Sequence, residues 1–340
     1  MLHFDSDYME GMHPLILERL QKENRIAHTG YGLDDICDSA RKKIRRACAA
    51  PEAEVYFLDG GTQTNAVALR AMLDLHEGAL AAATGHINVH EAGAIEAAGH
   101  KVIPLPAYEG RLDPEEAEAY LKAFYADATW PHMVRPGLIY ISHPTEYGTL
   151  YTKAQLERLR ALCDRYSLYL YMDGARLGSG LCAPGTDVTL EDIARYCHGF
   201  YIGGTKMGAL LGEALVFPRP LRRGMFSIIK QSGALLAKGW LLGVQFDTLF
   251  TGDLYRQCGQ HAVDMAMELK RGLLEKGYSL YLDSPTNQQF VILPNEQIRS
   301  LQEKVSFGLW DPVDGAHTVA RFVTSWATEE EQIRQLLALL

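Results

Sequence analysis

The sequence predicts an α/β protein: a mostly parallel sheet covered on both faces, followed by a smaller α+β domain. Three observations carry this. Short apolar runs alternate with helix-patterned segments over the first two thirds of the chain. The runs are apolar on both faces, as strands buried on both sides require. After about residue 218 the pattern changes to two long helical stretches and then strand, helix, strand, helix. At roughly 150 residues per domain, 340 residues suit two domains, expected here as 1–240 and 241–340.

The elements follow in order. Ile36, Ala40, Ile44 and Ala47 recur at helical spacing. The run Arg41, Lys42, Lys43, Arg45, Arg46 on that segment is a solvated helix face, or alternatively a contact for a phosphate-rich partner. A strand is expected over 54–58, a helix over 62–75, and strands over 79–83 and 101–105. Asp113 as N-cap and Pro114 at the first position open a helix over 114–126. Strands over 137–142, 168–172, 199–202 and 214–217 complete the set, with a helix over 153–166. Beyond them come helices over 233–250 and 255–276, a strand over 289–293, a helix over 295–304, a strand over 318–324 and a last helix over 329–339.

Composition excludes several classes. The apolar fraction is 47% and the mean hydropathy −0.11, values of a globular protein rather than a disordered or fibrous one. A net charge of −9 argues against broad nucleic-acid binding. A membrane span needs roughly 20 apolar residues in a row. The best stretch, 233–244, is shorter and contains Lys238. The acidic start MLHFDSDYMEG predicts no signal peptide and a cytoplasmic protein. The six scattered cysteines then read as free thiols.

Chemistry concentrates at strand ends. Asp173 follows the apolar run LYLYM, and the carboxyl ends of parallel strands form the ligand crevice. Capping a helix is the other use of an Asp there. Lys206 lies in GGTKMG, just past the strand over 199–202, where glycines let backbone approach a bulky ligand. Lysine forms Schiff bases with carbonyl cofactors, and pyridoxal phosphate needs such a lysine plus an acid for its ring nitrogen. Gly60-Gly61-Thr62 sits between a strand and a helix. It is a phosphate cradle of free N–H groups with a hydroxyl, or a plain glycine turn with a threonine cap. Thr205 offers a second phosphate contact. In GHINVHEAG, His86, His90 and Glu91 fit a metal site, a structural histidine or an imidazole stacked on a cofactor ring. No full ligand set and no H-E-x-x-H accompanies them, so no metal is assigned.

These residues resemble the L-threonine aldolase family, pyridoxal-phosphate enzymes of fold type I in the β-eliminating lyase/threonine aldolase group. The resemblance rests on Asp173-Gly-Ala-Arg176, the Lys206 turn, Gly61-Thr62 with Asn65, and His86 with Glu91 and Gly93. FDSDYMEG, Tyr31-Gly32-x-Asp34 and Arg321-Phe-Val-Thr extend it over residues 4 to 324. It implies a seven-stranded large domain, a small C-terminal domain, and a homodimer or homotetramer with sites at subunit interfaces. It also implies roles. Lys206 would carry the cofactor, Asp173 would pair with its ring nitrogen and His86 would stack on the ring. Gly61, Thr62 and Thr205 would hold the phosphate. Ser6, Arg176 and Arg321 would grip the substrate carboxylate, with Tyr31 beside it, so that Lys206, Arg176 and Arg321 make a local cationic pocket. Read alone, Arg176 and Arg321 equally suit surface ion pairs. His132 resembles the second histidine near the substrate hydroxyl. His86, His132 or a water they position are the expected bases. One stretch departs: where the family often has Glu-Asn-Thr-His, this chain has Ser142-His143-Pro144-Thr145-Glu146. The implied activity is cleavage of L-threonine or L-allo-threonine to glycine and an aldehyde. The alternatives are β-elimination or transamination on the same scaffold, or a non-catalytic pyridoxal-phosphate-binding protein.

Overall fold

The structure, a computed structural model, describes residues 1–221 and 224–340. Thirteen strands are named along the described residues: β1 (Leu2–Phe4), β2 (Glu54–Leu58), β3 (Glu77–Ala82), β4 (Lys101–Leu105), β5 (Ala107–Tyr108), β6 (Arg111–Leu112), β7 (Arg135–Ser142), β8 (Tyr169–Asp173), β9 (Gly199–Gly203), β10 (Glu213–Phe217), β11 (Gln288–Pro294), β12 (Val305–Pro312) and β13 (His317–Val323). Seven of them form one sheet in the order β2-β10-β9-β8-β7-β3-β4. All run parallel except β10, which is antiparallel to both neighbours.

Every residue of β3, β9 and β10 is buried, so both faces of the sheet are covered, as the doubly apolar runs require. One face packs on helices 35–47, 153–166 and 240–249. The other packs on helix Gly61–Met72 and on 225–231. The helix over 35–47 is amphipathic as read: Ile36, Ala40 and Ile44 are buried, and Asp34 caps it through Cys37 N at 2.8 Å.

The second sheet, in the order β1-β12-β13-β11, is built mainly from the C-terminal third. β1 comes from the opposite end of the chain and pairs parallel with β12. Neither β1 nor β12 was expected. β12 reads VSFGLWDP, where only alternate residues are apolar at first and burial stops after Phe307. The expected helix over 233–250 is confined to Trp240–Leu249, and a separate helix, Met225–Gln231, precedes it. Gly233 adopts φ +71°, a left-handed conformation that ends the first helix. The helix Pro14–Glu23 also went unread. No helix among the described residues is long and apolar enough to cross a membrane.

Phe4 ties the chain's start to the C-terminal core. It is 1% exposed and meets Phe322 edge-on at 6.4 Å between ring centroids. Phe4→Ala is expected to cost about 3–5 kcal/mol, the usual range for truncating a buried aromatic. Urea denaturation followed by circular dichroism measures this; an unchanged midpoint would show that β1 does not hold the second sheet.

Candidate active site

The carboxyl ends of β2, β7, β8 and β9 share one edge of the large sheet. Because β10 runs the other way, its first residue, Glu213, arrives at the same edge, opposite Leu58 and Gly203. A pocket of about 330 Å³ opens there. Tyr8, Asp59 to Thr62, His86, Ser142, Glu146, Asp173, Arg176, Thr205, Lys206 and Glu213 line it.

Asp173 is the buried charge at its floor. Oδ1 accepts from Tyr201 Oη at 2.5 Å and Ala175 N at 3.0 Å. Oδ2 accepts from Tyr140 Oη at 2.7 Å and Asn65 Nδ2 at 2.9 Å. Burial alone would raise this carboxyl. The His86 charge and the hydrogen bonds from Tyr201, Asn65 and Tyr140 outweigh it and hold Asp173 below the ordinary carboxylate range. The tyrosines reach it because side chains two apart on a strand share a face. Tyr140-Ile-Ser142, Tyr171-Met-Asp173 and Tyr201-Ile-Gly203 repeat one pattern at three neighbouring strand ends. Neither Tyr140 nor Tyr201 is singled out by sequence reasoning; this repeat is the signal in the sequence that points to them.

Lys206 comes close because two backbones press together. Gly203 N donates to Gly174 O at 3.0 Å, and a Cβ on Gly174 would collide with the Tyr201 carbonyl. Burial first, and the charge of Arg176 second, lower the Lys206 pKa. That favours the neutral amine, the form that attacks a carbonyl.

Helix Gly61–Met72 points its N-terminus at the pocket. Its N-cap, Gly60, makes no side-chain capping bond. The first intrahelical bond is Thr64 N to Gly60 O, which leaves the N–H groups before it facing outward for an anion. An amine for a carbonyl, a carboxylate for a ring nitrogen and free N–H groups for a phosphate all border one cavity. The donor set therefore fits pyridoxal phosphate.

His86 sits beside this group. Its Nδ1 lies 2.7 Å from Glu91 Oε1, which also accepts from Asn65 Nδ2 at 2.7 Å. Burial would lower the imidazole; the Glu91 hydrogen bond and the charges of Asp173 and Glu91 win and raise it. His86, Glu91 and Asp173 offer atoms within 4.8 Å of one another, the grouping with metal-like spacing among the described residues. Both Asp173 oxygens and Glu91 Oε1 are already bonded to Asn65, the tyrosines, Ala175 N and His86, while Glu91 Oε2 is buried without a partner.

Other expected residues are placed differently. Arg176 does line the pocket, but Asp7 holds it: Nε to Oδ2 at 2.7 Å and Nη2 to Oδ1 at 3.0 Å. Asn287 Nδ2 adds a bond to Asp7 at 2.9 Å. The Thr205 hydroxyl, expected on a phosphate, donates to Glu213 Oε1 at 3.0 Å. Arg321 lies nearby with Nη2 on Asp5 O at 3.1 Å, its guanidinium 5.1 Å over Trp310 and its Nε buried without a partner. Ser6 is half-buried in the arm after β1 and is not a lining residue. Tyr31 is exposed, 4.9 Å from Lys230 Nζ, and outside the pocket. His132 is exposed in a 3₁₀ turn just before β7. It therefore stands at the amino end of an eight-residue strand whose far end is Ser142. The structure does not bring His132 or Tyr31 to the pocket of their own chain.

Sequence reasoning missed Glu213, Glu146, Ser142 and Asp7. Glu213 begins a strand, and only the reversed direction of β10 puts that start at the site. Burial pushes Glu213 up to about 8, although Gly204 N and Thr205 Oγ1 donate to it.

A sequence model of the family described as beta-eliminating lyase matches residues 6–289. The threonine aldolase of Leishmania major superposes with a TM-score of 0.96 at 43% identity, over 100% of this chain and 98% of that one. The low specificity L-threonine aldolase of Pseudomonas aeruginosa is 28% identical over 98% of this chain and 95% of its own length. The aspartate aminotransferase of Thermus thermophilus, at 18% identity and a TM-score of 0.72 over 100% of this chain and 90% of that one, shares the fold.

Glu213 makes a pH prediction for the cofactor-free protein. An unfolded glutamate titrates near roughly 4.3. Between there and about 8 the unfolded chain has released a proton that the folded chain keeps, so this group's contribution to stability falls as pH rises. Glu213→Gln is expected to gain on the native protein steadily from pH 5 to pH 8 in thermal unfolding. An offset that does not change with pH would refute the assignment.

Proposed function

The chain belongs to the beta-eliminating lyase family, and on that footing we propose that it cleaves β-hydroxy-α-amino acids, L-threonine and L-allo-threonine among them, to glycine and an aldehyde. It is a pyridoxal-phosphate-dependent lyase of the threonine aldolase type. The observation that carries the substrate reading is that Lys206, Asp173, an open helix N-terminus and Arg176 converge on one cavity. When bound, the cofactor supplies an electron sink for the bond pair left at the α-carbon.

The chain's residues do the rest. Lys206 presents its neutral amine to the cofactor carbonyl. Asp173, anionic and held by four donors, stabilises a protonated ring nitrogen. Gly61 and Thr62 offer the phosphate their N–H groups and a hydroxyl. His86 flanks the ring, oriented through Nδ1 by Glu91. The substrate carboxylate needs a cation. Asp7 occupies Nε and Nη2 of Arg176, so Arg321, with a free Nε, takes the larger share.

We also propose a cytoplasmic homodimer or homotetramer. Tyr31 and His132 are exposed away from their own pocket, as residues serving a neighbouring subunit would be.

Incubation with L-threonine or L-allo-threonine should yield glycine and acetaldehyde in equal amounts, read by a coupled reductase. Pyruvate and ammonia in their place would establish elimination instead. Lys206→Ala should lose the adduct that borohydride traps on the native protein. Arg321→Ala should raise KM about 10- to 100-fold with a smaller change in kcat, the loss of one charge-assisted hydrogen bond made equally in ground and transition states. A fall confined to kcat would remove Arg321 from carboxylate binding.

A further inference from the structure

Cleaving a β-hydroxy amino acid requires a base for the β-hydroxyl proton, and of the two histidines expected to supply it one lies outside the pocket while the other has its pKa raised. His132 is exposed at the amino end of β7. His86 binds Glu91 through Nδ1 at 2.7 Å, and that hydrogen bond with the charges of Asp173 and Glu91 raises its pKa against the effect of burial, which disfavours the neutral imidazole a base needs. His143 is wholly buried, accepts from Tyr151 N at 3.3 Å and does not line the pocket.

Glu146 remains. It lines the same cavity as Lys206, Asp173 and His86, in the stretch that departs from the family pattern. It is 9% exposed. Its Oε1 is fixed twice, by Ser142 Oγ at 2.7 Å and by the backbone N–H of His86 at 2.9 Å. Its Oε2 is buried and has no hydrogen-bond partner. Ser142 pairs in register with Asp173, so this carboxyl is anchored on the strand beside the one that holds the floor of the pocket. A buried carboxyl with one oxygen anchored and the other unsatisfied costs free energy unless a ligand completes it.

We propose that Glu146 is the catalytic base for the β-hydroxyl, an assignment that rests on the aldolase reading above. The substrate O–H bond breaks and its proton passes to Glu146 Oε2. The O–H electron pair becomes the second bond of the aldehyde carbonyl. The Cα–Cβ bond breaks with its pair left at Cα, and a proton taken up there completes glycine. In the synthetic direction the protonated carboxyl returns its proton to the aldehyde oxygen. Burial raises the Glu146 pKa, which moves the carboxyl toward the neutral range where a general base works best. Ser142 and the His86 N–H hold it in place.

The test compares native holoenzyme, Glu146→Gln and Glu146→Asp on L-threonine, with glycine binding followed by cofactor absorbance. Glu146→Gln should lose about 10²- to 10⁴-fold in kcat/KM, the usual contribution of a general base. Its cofactor spectrum and glycine affinity should stay near native, because glycine has no β-hydroxyl. The acid limb of the native pH–kcat/KM profile should vanish with it, and Glu146→Asp should recover part of the rate and that limb. Glu146→Gln cleaving threonine at near-native rate with the same acid limb overturns the proposal and leaves the aldolase reading intact. Loss of glycine binding or of the cofactor spectrum in Glu146→Gln overturns it too, by making the residue structural. A native enzyme that releases no aldehyde but turns over amino acids otherwise overturns the aldolase reading itself.

Discussion

The ionised carboxylate of Asp173 is the charge on which the large domain's site depends. A carboxyl this deeply buried would ordinarily take up a proton. Here two tyrosine hydroxyls, one amide and one backbone N–H donate to its two oxygens and hold the charge. Each donor in turn requires a particular element. Tyr140 and Tyr201 need β7 and β9 on either side of β8. Asn65 needs the helix after β2 laid across that face. Ala175 N needs the turn that follows the strand. The parallel sheet order, the covering helix and the turn are therefore all enlisted to keep one charge.

The same edge carries more negative charge than Lys206, Arg176 and Arg321 led one to expect. Asp7 pairs with Arg176, Glu146 and Glu213 line the remaining space, and Glu91 lies behind His86. The local cationic pocket anticipated from the arginines is instead a balanced one. Burial raises Glu91, Glu146 and Glu213 and lowers Lys206, so several groups are drawn toward neutrality together. Groups whose proton affinities are pulled toward the working pH suit a reaction made of proton transfers.

The two sheets are not independent. β1 threads from the chain's start into the C-terminal sheet, and the arm after it carries Asp7 to Arg176. Asn287, just before β11, completes that contact. The second sheet thereby reaches the pocket through the buried Asp7–Arg176 ion pair. Movement of that sheet would be felt at Arg176 first.

The sequence by itself determined the parallel sheet, because unbroken apolar runs have no stable place except between two covering layers. It also determined the pairing of Asp173 with Lys206, since both follow such runs and glycines around them permit close approach. The helix start marked by Asp113 was equally local, set by a side chain that bonds its own backbone. Tertiary structure alone decided what depends on direction and on distant partners. Glu213 reaches the site only because β10 is reversed. Arg176 is engaged only because Asp7, 169 residues away in the chain, folds onto it. His132 is removed from the pocket only because β7 carries its two ends to opposite edges of the sheet. Spacing along a chain states which groups share an element's face; it does not state which way the next strand runs or which remote carboxylate claims a cation.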